Sequence, residues 1–181
     1  MKIISGTLKG RTLKGYNLKG TRPTMDRVKE SLFAMIQNKV KDSAVLDLFA
    51  GSGNLGIEAI SNGARVCYFN DINKECIKVI KDNINTFNIE SNTNIINKSW
   101  KEALNYMSSS SIKFDLIFLD PPYNLECLND VVDVILKYNL LNPDGLIICE
   151  VSNNYLNEWE CLEEIKNKRY GDKYIIILKN K

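Results

Sequence analysis

Between residues 44 and 151 the chain alternates short apolar runs with stretches whose apolar residues recur every three or four positions, and few architectures accept that rhythm. Residues 44–49, 65–70, 95–96, 114–119 and 146–151 read as strands. The helices fall between them, over 54–62 closed by Gly63, 74–87, 100–107 and 125–137. Ile77, Ile80, Ile84 and Phe87 share one face of the second of these, and Leu128, Val131, Val132 and Ile135 one face of the last. Strictly alternating strands and helices predict parallel pairing with right-handed crossovers. After residue 151 the rhythm stops. Residues 162–169 and 174–178 then read as an antiparallel hairpin around Tyr170-Gly171-Asp172-Lys173, with a helix over 159–165 as the alternative. The expected fold is therefore α/β, a doubly wound, mostly parallel seven-stranded sheet with an antiparallel C-terminal hairpin.

Upstream of the rhythm, two short strands around residues 2–6 and 10–14 predict a small basic β-hairpin, and Thr24 is the expected N-cap of a helix running to about Lys39. Val28, Leu32, Met35 and Ile36 form its apolar stripe. The first 30 residues carry Lys2, Lys9, Arg11, Lys14, Lys19, Arg22, Arg27 and Lys29 against Asp26 and Glu30, a local charge of +6 in a chain whose net charge is +2. A basic arm on an acidic body fits contact with phosphates, and a solvated lysine-rich start fits the same count. With 181 residues, 44% of them hydrophobic, one domain is expected, residues 1–23 as arm and 24–181 as core. No stretch approaches the length of a membrane span, and the start does not read as a secretory leader, so a cytoplasmic protein is expected.

The chain has no histidine, which excludes Ser-His and Cys-His nucleophiles, a histidine base and any zinc site needing imidazole. Its five cysteines match neither a metal nor a redox spacing and read as small core residues, and no metal is expected. Chemistry is left to carboxylates, backbone, aromatics or a cofactor. Asp120-Pro121-Pro122-Tyr123 follows the apolar run 114–119 directly, which puts a carboxylate and a ring at a strand's carboxyl end, where open α/β sheets bind ligands. The Asp120 carboxylate and the Pro121 carbonyl can accept both hydrogens of a planar NH2 group, and Tyr123 can stack on the ring that bears it. That arrangement suits methyl transfer to a conjugated amine. A proline-rich turn explains the prolines alone.

Gly51-Ser52-Gly53-Asn54-Leu55-Gly56 places a glycine turn between the first parallel strand and its helix, and Asp71 closes the next strand where a carboxylate can hold two ribose hydroxyls. The spacing also satisfies the dinucleotide fingerprint, so an NAD-dependent oxidoreductase is a rival reading. Against it, Asp47 precedes the turn where it can meet an amino-bearing tail, no hydride-transfer acid is evident, and Asp120-Pro121-Pro122-Tyr123 has no role. S-adenosylmethionine accounts for all three features, having a ribose, an adenine, an amino-acid tail and a reactive methyl group. Phe49 and Leu55 read as packing residues, and Trp100 as either a core anchor or a wall of the adenine pocket.

Across nearly its whole length the chain resembles the bacterial small-subunit ribosomal RNA guanine-N2 methyltransferases, of the class I adenosylmethionine-dependent, Rossmann-like fold. The resemblance is carried by residues 1–6 with Lys9-Gly10-Arg11, by residues 21–30 beginning Thr21-Arg22-Pro23-Thr24, by residues 47–56, by Asp120-Pro121-Pro122-Tyr123, and by Lys168-Arg169-Tyr170-Gly171-Asp172. It implies that Asp120, Pro121, Pro122 and Tyr123 hold the target amine. It implies a cofactor site of Asp47, Phe49, Gly51, Ser52, Gly53, Asp71, Ile72, Ser99, Trp100 and Thr24, with S-adenosylmethionine bound there. Lys9, Arg11, Lys14, Arg22 and Arg27 are the expected contacts to ribosomal RNA or an assembling small subunit, made by a monomer. Relatives commonly carry an acidic residue after the third strand, whereas this chain reads Asn97-Lys98-Ser99-Trp100, which leaves adenine recognition to Ser99, backbone and stacking. Other readings that share the motif are an adenine-N6 DNA methyltransferase and a glutamine-N5 protein methyltransferase. The small basic arm leaves no room for a separate DNA-recognition domain.

Overall fold

A computed structural model describes residues 1–15, 23–121, 127–151 and 156–181, with residues 23–25 by backbone only. The elements run α1 (Pro23–Val40), β1 (Ala44–Asp47), α2 (Asn54–Ser61), β2 (Val66–Asn70), α3 (Lys74–Phe87), β3 (Thr93–Ile96), α4 (Trp100–Ser109), β4 (Phe114–Leu119), α5 (Leu128–Lys137), β5 (Leu141–Val151), β6 (Leu162–Tyr170) and β7 (Lys173–Asn180). They build one seven-stranded sheet in the order β3-β2-β1-β4-β5-β7-β6. β1 to β5 pair in parallel, whereas β7 pairs antiparallel with both β5 and β6, as the alternation and its interruption predict.

Side chains alternate across the sheet and feed two cores. Val45, Phe69, Leu116, Phe118 and Ile148 face α1, α2 and α3, whereas Leu46, Ile117, Leu119, Ile147 and Ile176 face α4 and α5. Gly56 lets α2 lie close against β2. A Cβ there would sit 2.3 Å from Phe69 Cε1 and 2.7 Å from Cys67 Sγ, both on buried side chains. Gly56→Ala should lower stability by about 1–3 kcal/mol, the usual effect of forcing a methyl group into a packed core, read as a drop in the thermal midpoint.

Three expectations are corrected. α1 starts at Pro23, so Thr24 lies inside the first turn rather than capping it; proline's fixed φ suits that first turn. β5 begins at Leu141, not at residue 146, because a register shift between Phe114 and Leu116 lets pairing resume past Asn142-Pro143-Asp144-Gly145. Cys161 is exposed, while Cys67, Cys76, Cys127 and Cys149 are buried. Burial pushes the Cys76 thiol up to about 11 and Cys149 up to about 12, so these groups stay protonated. Among the described residues no helix is long and apolar enough to cross a membrane.

The arm is a hairpin docked on the core rather than a loose tail. Lys2 bridges Thr12, the Ile3 N–H donates to the Arg11 carbonyl at 3.0 Å, and the Leu13 N–H donates to the Met1 carbonyl at 3.0 Å. Ile3, Leu8 and Leu13 are buried in the core shared with α1, α2 and α3.

Candidate functional site

β1 lies between β2 and β4 and is the point from which the chain winds both ways, so the carboxyl ends of these three strands open the crevice in which such sheets bind ligands. Asp47 ends β1, Asp71 follows β2, and Asp120 follows β4. Between Asp47 and α2 the chain turns through Gly51 and Gly53, whose φ values of 55° and 80° lie in the left-handed region that glycine enters at little cost. Among the described residues, nothing lies within 4 Å of the position a Cβ on Gly51 would take, so that side of the turn is open to them.

The turn is held by carboxylates and asparagines. Asp71 Oδ2 accepts the Gly51 N–H at 2.9 Å and its Oδ1 accepts the Asn73 N–H at 2.8 Å. Each oxygen keeps a lone pair for a further donor. Asn97 donates Nδ2 to the carbonyls of Asp71 at 2.7 Å and Ile72 at 3.1 Å. Asn70, fully buried, donates to the Leu48 carbonyl at 3.0 Å and accepts the Lys98 N–H at 3.3 Å, joining the ends of β1 and β3. Beside this frame Ile72 is 72% exposed, a bare apolar surface at the lip of the crevice.

Asp47 is buried, and its Oδ2 accepts the Gly56 N–H at 2.9 Å. Burial raises its pKa from the ordinary 3.8 to about 7; the Gly56 N–H opposes the rise, and the charges of Asp120 and Asp71 add to it. The folded protein therefore binds more protons than the unfolded chain between about pH 4 and 7, so the contribution of this group to stability is present below pH 4 and lost as pH rises through 7. Asp47→Asn should remove that loss. Thermal melts from pH 5 to 8 should show wild type losing on the order of a few kcal/mol relative to the variant, and parallel curves would contradict the assignment.

Asp120 also has its protonated form favoured by burial, and the Lys173 charge pulls the other way. Lys173, at the start of β7, pairs with Glu150 on β5. Pro121 is half-buried; Pro122 and Tyr123 lie outside the described residues. Phe49 is half-buried against the α4 and α5 core, and so is Trp100, whose ring lies 5.2 Å from Lys101 Nζ. Ser52 is buried next to Gly53, and the Thr24 side chain lies outside the description. Ser99 is engaged locally: its Oγ donates to Glu102 Oε2 at 2.6 Å and accepts the Glu102 N–H at 3.3 Å, a capping box that starts α4.

Among the expected RNA contacts, Lys9 and Arg27 are exposed and line an open groove of about 280 Å³ with Lys2, Asp26 and Glu30. Arg11 turns back on α3, donating to the Thr86 carbonyl at 2.7 Å with its guanidinium 4.5 Å from the Phe87 ring centre. Lys14 pairs with Asp82 at 3.5 Å, and Arg22 lies outside the described residues. Lys29, counted above with the basic arm, is withdrawn from any phosphate: it is buried against Glu58 at 2.8 Å. Sequence reasoning missed Lys29 and Glu58 as a pair, and missed Asn70, Asn83 and Asn97.

The family described as conserved hypothetical protein 95 matches residues 1–179. YlbH of Bacillus subtilis, named provisionally as an rRNA methyltransferase, is 41% identical over 150 residues, covering 83% of this chain and 82% of its own. Ribosomal RNA small subunit methyltransferase D of Haemophilus influenzae is 36% identical over 155 residues, covering 85% of this chain and 80% of its own. The solved structure of yhhF from Escherichia coli, also named provisionally as a methyltransferase, matches with a TM-score of 0.87 at 25% identity, over 100% of this chain and 98% of that one. With its fold, crevice and near-complete match, the chain belongs to the conserved hypothetical protein 95 family, beside proteins named ribosomal RNA small subunit methyltransferase D, and is a methyltransferase.

Proposed function

We propose that the protein transfers a methyl group from S-adenosylmethionine to the exocyclic N2 amine of a guanine in small-subunit ribosomal RNA. The observation that carries this reading is the ring of Asp47, Asp71 and Asp120 around an open glycine turn at the carboxyl ends of β1, β2 and β4. The residues present fit the cofactor. Asp71 has a free lone pair on each oxygen for two ribose hydroxyls, Ile72 offers an apolar face to adenine, and the open side of Gly51 admits close approach. Asp47 faces a cationic tail, whose charge favours the ionised carboxylate, so binding should tighten as pH rises through about 7. With Ser99 committed to its cap, adenine's polar edge is left to backbone groups near residues 97–99.

When bound, S-adenosylmethionine supplies an electrophilic methyl group. The chain's own part is to present the nucleophile. The guanine is rotated out of its RNA context, Asp120 and the Pro121 carbonyl accept the two amine hydrogens, and Tyr123 stacks on the base. The amine proton leaves after transfer, to the Asp120 carboxylate or to water, so no strong base is needed. Lys2, Lys9 and Arg27 line the groove that receives RNA phosphates, with Arg22 beside them in sequence, and Arg11 and Lys14 stiffen the arm against α3. The reading implies a monomer acting in the cytoplasm, where small subunits assemble.

The methyltransferase names of the relatives support this reading over an NAD-dependent oxidoreductase, and the ribosomal RNA in those names supports it over DNA or protein glutamine as substrate. The test supplies labelled S-adenosylmethionine with unmodified small-subunit particles, followed by digestion of the RNA. Label in N2-methylguanosine is expected. Label in another nucleoside, in protein, or nowhere overturns the assignment.

A further inference from the structure

Two buried side chains connect the arm to the glycine turn, and they reach it on opposite sides of Gly53. Asn83, on α3 and 1% exposed, accepts the Lys14 N–H through Oδ1 at 2.9 Å and donates Nδ2 to the carbonyls of Lys14 at 3.0 Å and Ser52 at 3.1 Å. Lys29, on α1 and 2% exposed, donates to the Lys2 carbonyl and to Asn54 Oδ1, each at 2.7 Å, besides its pairing with Glu58. Glu58 completes the second bridge by accepting the N–H groups of Ile4 and Ser5 and the Ser5 hydroxyl at 2.8–3.1 Å. Lys2 and Lys14 stand near the two ends of the hairpin, and Ser52 and Asn54 are the residues on either side of Gly53.

A buried polar group is stable only while all its partners are in place. If the arm lifts, Asn83 and Lys29 lose partners and their hold on Ser52 and Asn54 loosens. If the turn shifts, the same two side chains lose their hold on the arm. We propose that Asn83 and Lys29 are positioning residues that couple the arm to the glycine turn, so that RNA held by the arm and cofactor held by the turn each tighten the other. This rests on the functional reading above, which places RNA on one element and cofactor on the other. The coupling is reciprocal by thermodynamic necessity.

The test measures the Kd of labelled S-adenosylhomocysteine by equilibrium dialysis, with and without saturating unmodified small-subunit particles. Wild type should bind at least about fivefold more tightly in their presence, and in Asn83→Ala the ratio should fall to about one. A wild-type ratio of one, or an undiminished ratio in the variant, overturns the proposal. Hydrogen exchange on the wild-type protein asks the same question if the variant fails to fold: S-adenosylhomocysteine should slow exchange at the amides of Ile4, Ser5 and Lys14, and unchanged rates there overturn the coupling. A protein that binds S-adenosylhomocysteine and methylates RNA yet shows no coupling loses this proposal alone, whereas one that binds no S-adenosylhomocysteine loses the functional reading with it.

Discussion

Asp120→Ala should cut methyl transfer by about 10²–10³-fold, the scale on which removal of one preorganised polar partner acts in a water-poor site, while S-adenosylmethionine binding changes little. The carboxylate follows β4, whose last residue Leu119 is buried, so the rigid sheet fixes where the acceptor stands. In the proposed arrangement its partner acceptor is the Pro121 carbonyl, which the substitution leaves in place. Asp120→Asn retains one acceptor oxygen but adds an NH2 group that competes with the substrate amine, so it should fall between wild type and Ala. Because burial favours the protonated form of Asp120, the wild-type rate should also decline as pH falls and the carboxylate takes up a proton. The Asn variant should lack that Asp120-dependent acid limb. Single-turnover transfer of labelled methyl, paired with calorimetric titration of the cofactor, measures both quantities. Full activity in Asp120→Ala would remove the residue from the mechanism.

Where side chains alternate or recur on one face, the fold could be read closely from sequence. α3 spans Lys74–Phe87 and β4 spans Phe114–Leu119, the same limits that periodicity predicts. β6 shows why the C-terminal part stayed open between hairpin and helix. Leu162 is its only buried residue, so no alternation marks it, and it is held instead by backbone pairing with β7. The site divides in the same way. Glycines and carboxylates at strand ends announce themselves by position, whereas Asn70 and Asn97 act through hydrogen bonds between loops that meet only in the folded sheet. Ser99 did carry a local signal, since Ser99-Trp100-Lys101-Glu102 has capping-box spacing, and local geometry engages it there.

The buried polar bridges left fainter traces. Asn83 stands three residues after Ile80 and four before Phe87, within the apolar stripe of α3, where a polar side chain needs a partner of its own. Lys29 sits likewise between Val28 and Leu32 on α1, and Glu58 interrupts a helix that is otherwise buried along most of its length. In a lysine-rich start, Lys29 looked like one more surface charge. What distinguishes it is its place on the stripe, three and four residues before Leu32 and Phe33, both buried.

Lys29→Met should therefore destabilise the fold by about 3–5 kcal/mol, the range found when one partner of a buried ion pair is removed. Glu58 is 0% exposed and would be left buried without its cation, and the Lys2 carbonyl and Asn54 Oδ1 would each lose a donor. For a chain of this length the thermal midpoint should fall on the order of 10 °C. The double variant Lys29→Met, Glu58→Gln separates lost charge from lost packing. Glutamine's Oε1 can still accept from Ile4 and Ser5, and with no stranded carboxylate the double variant should be more stable than the sum of the two single losses implies. Strict additivity would mean that the two charges stabilise the fold independently, and the link between α1, α2 and the arm would then lie in the apolar contacts of Ile3, Leu8 and Leu13 rather than in this pair.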